Sequence, residues 1–259
     1  MNVARLIIDE PQSGSWNMAV DQALLKSAND FGQVTFRLYR WQPATVSLGY
    51  FQKLGDRDDH AASVASPIVR RASGGGAIVH DQEWTYSLTL PASNRLSSKH
   101  DTLVMDMHNV LVELLAEFGV AACLFQTGMP DQFAGQSPFL CFQRRAENDL
   151  LVGQHKVCGS AQRRTDGAIL QHGSLLCGRS AAAPELPGIF DLVENAEESS
   201  FPKFSELTRE SRFIERWLEL VAGKLRIGFQ PEKLGSDESV LASQIENQRF
   251  ASKEWLGKR

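Results

Sequence analysis

Two residues in the middle of the chain have the chemistry for acyl transfer: Cys141, and Lys156 fifteen positions later. A thiolate can hold an acyl group as a thioester, and a nearby ammonium favours the thiolate and stabilises a developing oxyanion. Lowering a thiol pKa from about 8.5 to about 7 takes roughly 2 kcal/mol, and one ammonium about 4 Å away supplies on the order of 4 kcal/mol at an effective dielectric of about 20. If both side chains reach one pocket, the pair indicates an acyl-transfer enzyme that needs no ATP. If Cys141 only packs in the core, the pocket fits an ATP-using ligase better.

Cys141 needs support from other residues, because a free cysteine is most often a small buried core residue. The chain has four cysteines, and none of them lies in a Cys-x-x-Cys pair. No metal site is therefore expected, and in a reducing cytosol all four would be free thiols. They are Cys123, Cys141, Cys158 and Cys177.

The composition is that of an ordinary soluble protein and indicates neither a nucleic-acid nor a membrane partner. Of the 259 residues, 42% are hydrophobic and 22% are charged, and the net charge is -4. An acidic chain does not attract nucleic acid through bulk electrostatics. The sequence shows neither a signal peptide nor an apolar run long enough to cross a bilayer. We expect a cytoplasmic protein and, without a break in composition, a single domain over residues 1–259.

A run of three glycines is the second feature that favours a binding site. Without Cβ atoms, such a turn lets a ligand lie against backbone N–H groups. No Lys-Ser or Lys-Thr follows, as a Walker loop requires, and a strand pattern follows where a dinucleotide fingerprint requires a helix. A plain hairpin turn is the alternative. The candidate binding residues in and beside the run are Arg71, Ser73, Gly74, Gly75, Gly76 and His80.

Two later strand patterns, around Lys156 and His172, form the third candidate region. Small residues in a strand let a ligand or another backbone come close. In the alternative interpretation, Lys156 is an exposed charge and His172 is a hydrogen-bonded structural residue. The candidate binding residues here are Gly159, Ser160, Ala161, His172 and Gly173.

Hydrophobic patterning predicts helices and strands that do not alternate strictly. The clearest helix covers about 101–118, where apolar residues form one stripe that ends at Gly119. Other helices are predicted after a cap at Ser15, near 205–225 and at 237–250, and residues 181–204 have the pattern of a surface loop. Strands are predicted at 34–39, 45–49, 67–71, 77–79, 84–88, 156–161 and 168–177. This mixture predicts an α+β (mixed α/β) fold, a mixed β-sheet flanked by helices.

Three motifs, in this order, resemble the biotin/lipoate protein ligase superfamily on its lipoate–octanoate branch. They are R-R-A-S-G-G-G-A-I-V-H-D from Arg70, K-V-C-G-S-A-Q-R-R from Lys156 and A-I-L-Q-H-G-S-L-L from Ala168. The resemblance covers nearly the whole chain and implies the catalytic-domain fold of that superfamily. Two details are similar to cysteine-dependent octanoyltransferases. They are the run from Glu83 to Ser87, close to the Glu-Leu-Thr-Tyr-Ser of those enzymes, and the Cys-Phe step at Cys141.

Other segments depart from one branch or the other. The segment from Ser73 to Gly76 is closer to ATP-dependent lipoate ligases than to the Thr-Gly-Gly-Arg usual in transferases. The segment from Gly128 to Asp131 lacks the Asn-Gly-Arg/Lys-Asn-Asp pattern typical of those ligases. The length of the chain predicts no separate C-terminal accessory domain. Cys158 stands where the superfamily usually has a different small residue.

The resemblance implies an octanoyl-[acyl carrier protein]:protein N-octanoyltransferase acting in lipoate biosynthesis and protein lipoylation. Cys141 would carry the acyl group with Lys156 beside it, and no cofactor would be needed. The implied donor is acyl carrier protein, and the implied acceptors are lipoyl domains of 2-oxoacid dehydrogenases or the glycine-cleavage H protein. Three alternatives stay open: an amidotransferase between lipoyl-domain proteins, an ATP-dependent lipoate–protein ligase, and a catalytically silent carrier-binding protein.

Arginine doublets recur beside these motifs, at Arg70-Arg71, Arg144-Arg145 and Arg163-Arg164. In an acidic chain, such clusters predict a local basic rim for an acidic carrier protein or its phosphopantetheine. Ordinary solvated charge is the alternative.

Overall fold

The computed structural model describes residues 2–193, 206 and 211–259. Eleven strands are present in that part of the chain: β1 Asn2–Ile8, β2 Thr35–Tyr39, β3 Thr45–Leu48, β4 Ile68–Arg70, β5 Ile78–His80, β6 Glu83–Leu90, β7 Ala122–Leu124, β8 Leu150–Val152, β9 His155–Thr165, β10 Ala168–Leu176 and β11 Ile227–Pro231. The helices are α1 Gly14–Phe31, α2 His100–Glu117, α3 Ile189–Leu192, α4 Arg212–Leu225, α5 Ser236–Ile245 and α6 Lys253–Leu256, with a π-helical turn at Glu246–Phe250.

The strands form two mixed sheets. The large sheet has eight strands in the order β11-β1-β2-β6-β10-β9-β8-β7, and the small sheet has the order β4-β3-β5. In the large sheet β1 runs parallel to both β11 and β2, and the pairs from β2 to β7 are antiparallel. The predicted mixed sheet flanked by helices is confirmed.

The period-two alternation of the strands supplies a core on each face of the large sheet. Leu6 of β1 packs into one core with α2 and α4, whereas its neighbour Ile7 packs into the other with α1 and the α5 region. Leu111 of α2 and Trp217 of α4 are fully buried in the first core. Both faces are thus covered by the apolar stripes of helices.

The small sheet has its own apolar core, and this core fixes the turn that carries Cys141. Leu140 and Phe142 are buried in that core together with Val46 and Val79. Cys141, between them in sequence, is the residue left partly accessible. Alternation of apolar, thiol and apolar side chains therefore directs the sulfur away from the small-sheet core.

Several boundaries differ from the sequence prediction. The predicted cap at Ser15 is wrong: Ser13 caps α1 by accepting a hydrogen bond from the Trp16 N–H, and the Ser15 hydroxyl donates to Glu246 instead. The predicted loop contains the short helix α3, and its residues 194–204 lie outside the described residues. The predicted helix from 205 starts at Arg212 after a Ser211 cap, and residues 205 and 207–210 also lie outside the described part. No helix in the described residues is long and apolar enough to cross a membrane.

Candidate active site

A cavity of about 270 Å³ lies where the small sheet meets the large one. Its walls come from α1, β3, β5, β6, β9, β10, the glycine turn and the turn that begins at Cys141, and the wall surface is mostly apolar. Eleven of the thirteen candidate residues from the sequence line it: Arg71, Gly74, Gly75, His80, Cys141, Lys156, Gly159, Ser160, Ala161, His172 and Gly173. Ser73 and Gly76 belong to the same turn but do not line this cavity. Three separate stretches of sequence thus meet around one apolar space.

Cys141 is held at the cavity wall by Ala77, the residue between the glycine turn and β5. Its N–H donates to the Ala77 carbonyl at 2.7 Å, and the Ala77 N–H donates to the Phe139 carbonyl at 3.0 Å. Cys141 then begins a single 3-10 turn that reaches Gln143. Backbone hydrogen bonds therefore fix the cysteine relative to the glycine turn.

The ammonium of Lys156 lies beside the thiol of Cys141. The Nζ–Sγ distance is 3.8 Å, so the predicted pairing of the two side chains in one pocket is present in the structure. Lys156 is only 6% exposed, so its charge is not dissipated in bulk water. The arrangement places a buried positive charge where negative charge would develop during acyl transfer.

Asp149 holds the Lys156 ammonium in place. Its carboxylate lies 2.7 Å from Nζ and also accepts the Ala146 N–H at 2.7 Å. Burial opposes the charge on the ammonium, but the neighbouring Cys141 and Asp149 outweigh burial and raise the pKa of Lys156. Lys156 is therefore a fixed positive charge at neutral pH rather than a proton acceptor.

Hydrogen bonds from the Arg71 guanidinium fix the conformation of the glycine turn. One terminal nitrogen of this guanidinium donates to the carbonyls of Gly74 and Gly76 at 2.8 and 2.7 Å, and the other donates to the Ser47 carbonyl at 2.9 Å. Burial lowers the pKa of Arg71 to about 10, although Cys141 opposes that shift. Arg71 remains a cation at neutral pH, and it fixes the turn from inside.

Gly75 is the position in the turn that requires glycine. Its φ of 100° lies in the left-handed region, and a Cβ there would come within 2.8 Å of the Arg71 guanidinium and 3.8 Å of the Cys141 sulfur. The missing side chain therefore leaves open the space in front of the thiol.

His172 connects the glycine turn to a buried charge network under α1. Its Nε2 is 2.7 Å from the Ser73 hydroxyl, and its Nδ1 is 3.8 Å from the Asp21 carboxylate. Asp21 is itself buried, and Arg37 and Tyr39 both donate to it. Burial raises the pKa of Asp21, but the neighbouring His172 ring and the charge of Arg37 outweigh burial and lower it. The carboxylate therefore stays ionised and orients the histidine at the cavity wall.

His80 lies deeper and is tied into the protein on both ring nitrogens. Nε2 is 2.7 Å from the Ser47 hydroxyl, Nδ1 is 2.7 Å from the Glu83 carboxylate, and the ring stacks on Trp41 at 3.7 Å. Burial lowers the pKa of His80, which keeps the ring neutral. It forms part of the cavity floor.

The other cysteines differ from Cys141 in environment. Burial raises the pKa of both Cys158 and Cys177, so neither is a ready nucleophile. Cys123 is exposed on the edge strand β7, and it does not line the cavity. Cys141 is the cysteine that combines partial accessibility with a neighbouring ammonium.

Residues 13–200 match the Lipoyl protein ligase A/B catalytic domain. The chain belongs to this family. A relative from Brevibacillus brevis, named Octanoyltransferase LipM, is 30% identical over 278 residues, covering 97% of each chain. A relative of the same name from Kyrpidia tusciae is 32% identical and covers 98% of each chain.

Solved structures of the lipoyl ligase family share the fold. The putative lipoate protein ligase Ta0514 of T. acidophilum, solved with bound lipoic acid, has a TM-score of 0.75 at 20% identity over 99% of this chain and all of its own. The bi-partite lipoate protein ligase of Thermoplasma acidophilum, described with its E2 lipoyl domain, has a TM-score of 0.69 at 21% identity over 99% of this chain and 97% of its own. These likenesses establish the fold expected from the sequence.

Ten residues that line the cavity of this lipoyl ligase family member were not predicted from the sequence, Asp149 among them, and neither was His108, which contacts the wall residue Ser160. Asp149, the partner of Lys156, lies in a polar segment of the sequence, where nothing distinguishes it from a solvent-exposed acidic residue. His108 reaches the site from α2, where its Nδ1 contacts the Asn148 carbonyl at 2.5 Å and its Nε2 the Ser160 hydroxyl at 2.7 Å. A histidine inside the apolar stripe of a helix was the available signal for His108, because a buried ring there needs partners.

The predicted basic rim is wrong for its first doublet. Arg70 is fully buried and donates to the Leu256 carbonyl and to three carbonyls in 49–52, and Arg71 is inside the glycine turn. Both side chains replace missing backbone hydrogen-bond partners rather than face a ligand protein. Arg144 also donates inward, to the Pro138 carbonyl at 2.7 Å.

Replacing Asp149 by asparagine is expected to shift the pH dependence of activity toward lower pH. The carboxylate raises the pKa of Lys156, so its removal lowers that pKa, and the ammonium is lost at a lower pH. Activity that depends on the ammonium is present below that pKa and disappears as the pH rises through it. The alkaline limb of a kcat/KM profile measures the shift. An unmoved limb with a uniformly lower rate would mean that Asp149 only supports the fold.

Replacing Gly159 by alanine is expected to lower activity at least about tenfold with little loss of stability. A Cβ there would lie 2.6 Å from Lys156 Cε and 2.9 Å from Nζ, so the flexible end of the lysine must move away from Cys141. Gly223→Ala in α4 is the control, because its Cβ meets nothing within 4 Å. Steady-state rates and thermal unfolding of both variants test this. A fully active Gly159→Ala protein would show that the 3.8 Å Lys156–Cys141 distance is not critical.

Proposed function

We propose that this chain is an octanoyltransferase that moves an octanoyl group from a carrier-bound thioester to a lysine of an acceptor protein through Cys141. The observation that carries the proposal is the 3.8 Å approach of the Lys156 ammonium to the Cys141 thiol in an apolar cavity. Relatives named Octanoyltransferase LipM, matching over nearly their whole length, confirm the acyltransferase class expected from the sequence. We propose that the catalytic unit is a single domain.

In the first half-reaction the Cys141 thiolate attacks the carbonyl carbon of the donor thioester. A carbon–sulfur bond to Cys141 forms, the bond to the carrier's sulfur breaks, and the carrier thiolate leaves and is protonated. One thioester replaces another, so the step is nearly isoenergetic and consumes no nucleotide. Lys156 stabilises the attacking thiolate and the developing oxyanion by its charge.

In the second half-reaction the neutral amine of an acceptor lysine attacks the octanoyl–Cys141 thioester. A carbon–nitrogen bond forms and the bond to the Cys141 sulfur breaks. The nitrogen loses one proton, which the departing Cys141 thiolate takes up, so that the free thiol is regenerated. Amide formation from a thioester is downhill, which makes the product stable. The raised pKa of Lys156 assigns it the same electrostatic role here, beside the departing thiolate.

The apolar wall of the cavity fits the alkyl chain of the acyl group. The glycine turn passes in front of Cys141, where the missing Cβ of Gly75 leaves room for a carbonyl. We propose that backbone N–H groups of the turn donate to the oxyanion. We assign acyl binding to two groups of residues. The first forms the glycine turn, whose shape is fixed by hydrogen bonds: Arg71, Ser73, Gly74 and Gly76. The second forms the opposite wall, on strands β9 and β10: Gly159, Ser160, Ala161, His172 and Gly173.

The proposed partners follow from this chemistry. Acyl carrier protein presents an octanoyl thioester, and lipoyl domains or the glycine-cleavage H protein present the lysine that becomes the amide. These are proteins of the cytoplasm, where we place the enzyme. No cofactor is required by either half-reaction as written.

Mass spectrometry of the acceptor tests the function directly. The full chain is mixed with octanoyl–acyl carrier protein and an apo lipoyl domain, with and without ATP. We expect the lipoyl domain to gain one octanoyl group at equal rates in both mixtures. Transfer from free octanoate or lipoate that requires ATP would identify a ligase, and transfer only from an octanoylated or lipoylated protein would identify an amidotransferase. Either result would overturn the proposed donor.

A further inference from the structure

A surface of aromatic and basic residues covers the outer side of the glycine turn. We call it the aromatic–basic patch, and it consists of Tyr50, Phe51, Arg249, Trp255, Lys258 and Arg259. The Tyr50 N–H donates to the Ser73 carbonyl at 2.9 Å, and the Phe51 ring lies 3.9 Å from the position of a Cβ on Gly74. Because Gly74 and Gly75 line the cavity from within, the patch is separated from the cavity by one turn of backbone.

The cations of the patch are held by aromatic rings. Arg249 lies 3.8 Å from the centre of the Trp255 ring, Lys258 lies 4.9 Å from the same ring, and Arg259 lies 5.6 Å from the Tyr50 ring. In the described residues, no side-chain carboxylate forms an ion pair with any of the three. Their charges are therefore ordered but not neutralised.

The charge of the patch contrasts with the rest of the molecule. The chain as a whole has a net charge of -4. Lys258, through a hydrogen bond and its charge, and Arg259, through its charge, together lower the pKa of the Tyr50 hydroxyl, which indicates a positive local potential. Phe51 is 71% exposed at the same place, although burial of such a ring is normally favourable. Exposed aromatic rings beside arginine are typical of protein interfaces.

We propose that the aromatic–basic patch docks the acidic carrier protein that delivers the acyl thioester. The inference rests on the proposed function and adds where its donor binds. An acidic donor whose acyl arm carries a phosphate is attracted to a cationic rim. The patch is thus assigned to the donor.

Reversing two charges tests the patch. The variant Lys258→Glu with Arg259→Glu changes exposed side chains that do not line the cavity. We expect KM for octanoyl–acyl carrier protein to rise at least about tenfold, with kcat nearly unchanged. KM for octanoyl-N-acetylcysteamine, a donor without protein or phosphate, and KM for the lipoyl domain are expected to stay the same. The matched control, Arg95→Glu with Lys233→Glu, reverses two exposed cations outside the patch and is expected to behave like the parent.

Each contrary result has a distinct meaning. An unchanged KM for the carrier, an equal loss with both donors, or a rise confined to the lipoyl domain overturns the docking assignment. Absence of transfer from either donor by the unmodified protein would instead refute the proposed function. Calorimetric binding of holo-acyl carrier protein then tests the docking assignment independently of activity. Weaker binding by the charge-reversed variant than by the control variant supports the assignment, and equal binding overturns it.

Discussion

Replacing Lys156 by alanine is expected to lower kcat/KM for octanoyl transfer by about 10³-fold, at the upper end of the loss for one oxyanion-stabilising group. The ammonium lies 3.8 Å from the Cys141 sulfur and is buried, so water cannot replace its charge efficiently. In the proposed mechanism, both half-reactions pass through a thiolate and an oxyanion at this point. Steady-state rates with octanoyl–acyl carrier protein measure the loss.

The Lys156→Ala substitution also leaves the buried carboxylate of Asp149 without its partner. A double variant separates this loss of stability from the loss of catalysis. Removing one partner of a buried ion pair can cost about 3–5 kcal/mol of stability. Lys156→Ala combined with Asp149→Asn removes the stranded charge, and we expect it to recover thermal stability while remaining as slow as the single variant. A double variant with near-normal rates would show that the loss came from the unpaired carboxylate and not from the missing ammonium.

Replacing Cys141 by serine is expected to abolish transfer, with a loss on the order of 10⁴-fold or more. A serine hydroxyl in the same place remains protonated, because one ammonium is far too little to ionise an alcohol. The side chain is partly exposed and differs by one atom, so the fold should persist. Cys123→Ser on the exposed edge strand is the control and should retain full activity. Significant octanoyl transfer by Cys141→Ser would assign the acyl group to another residue.

The local chemistry of the site was accessible from the sequence, and its supporting contacts were not. Cys141, Lys156 and the glycine turn are recognisable because a thiol, an ammonium group and a run of glycines each indicate only a few kinds of site. That they meet in one cavity required Ala77 to pair with Leu140, which places Cys141 beside the glycine turn, and β9 to bring Lys156 next to the thiol. Hydrophobic periodicity leaves strand partners open, so these backbone contacts were not predicted from the sequence.

Asp149 and Arg71 show why the rest escaped prediction. Whether Asp149 is solvated or paired depends on a backbone turn in which Ala146 and Asp149 hydrogen bond to each other. Arg71 looks like a ligand-binding arginine in sequence, yet its guanidinium is occupied by loop carbonyls. Polar side chains are interchangeable in a hydrophobicity pattern, so their partners emerge only from the fold.

Four strands were not predicted from the sequence: β1, β7, β8 and β11. β1 contains Arg5 in an otherwise apolar run, and Glu232 and Glu238 neutralise it from the other end of the chain. Such a long-range ion pair has no local signature. The aromatic–basic patch likewise brings Phe51 next to Arg259, which is distant in sequence. The arginine doublets that were predicted to form a basic rim do not belong to this patch.

Mass analysis of the enzyme itself is the most direct test of the acyl–Cys141 intermediate. The protein is mixed with octanoyl–acyl carrier protein in the absence of ATP and of any acceptor, quenched in acid, and examined intact and after proteolysis. We predict a gain of one octanoyl group, located on the peptide that contains Cys141 and lost in Cys141→Ser but not in Cys123→Ser. Subsequent addition of apo lipoyl domain should discharge the adduct as the amide forms. An unmodified enzyme that still transfers octanoate, or an adduct on another residue, would contradict the mechanism.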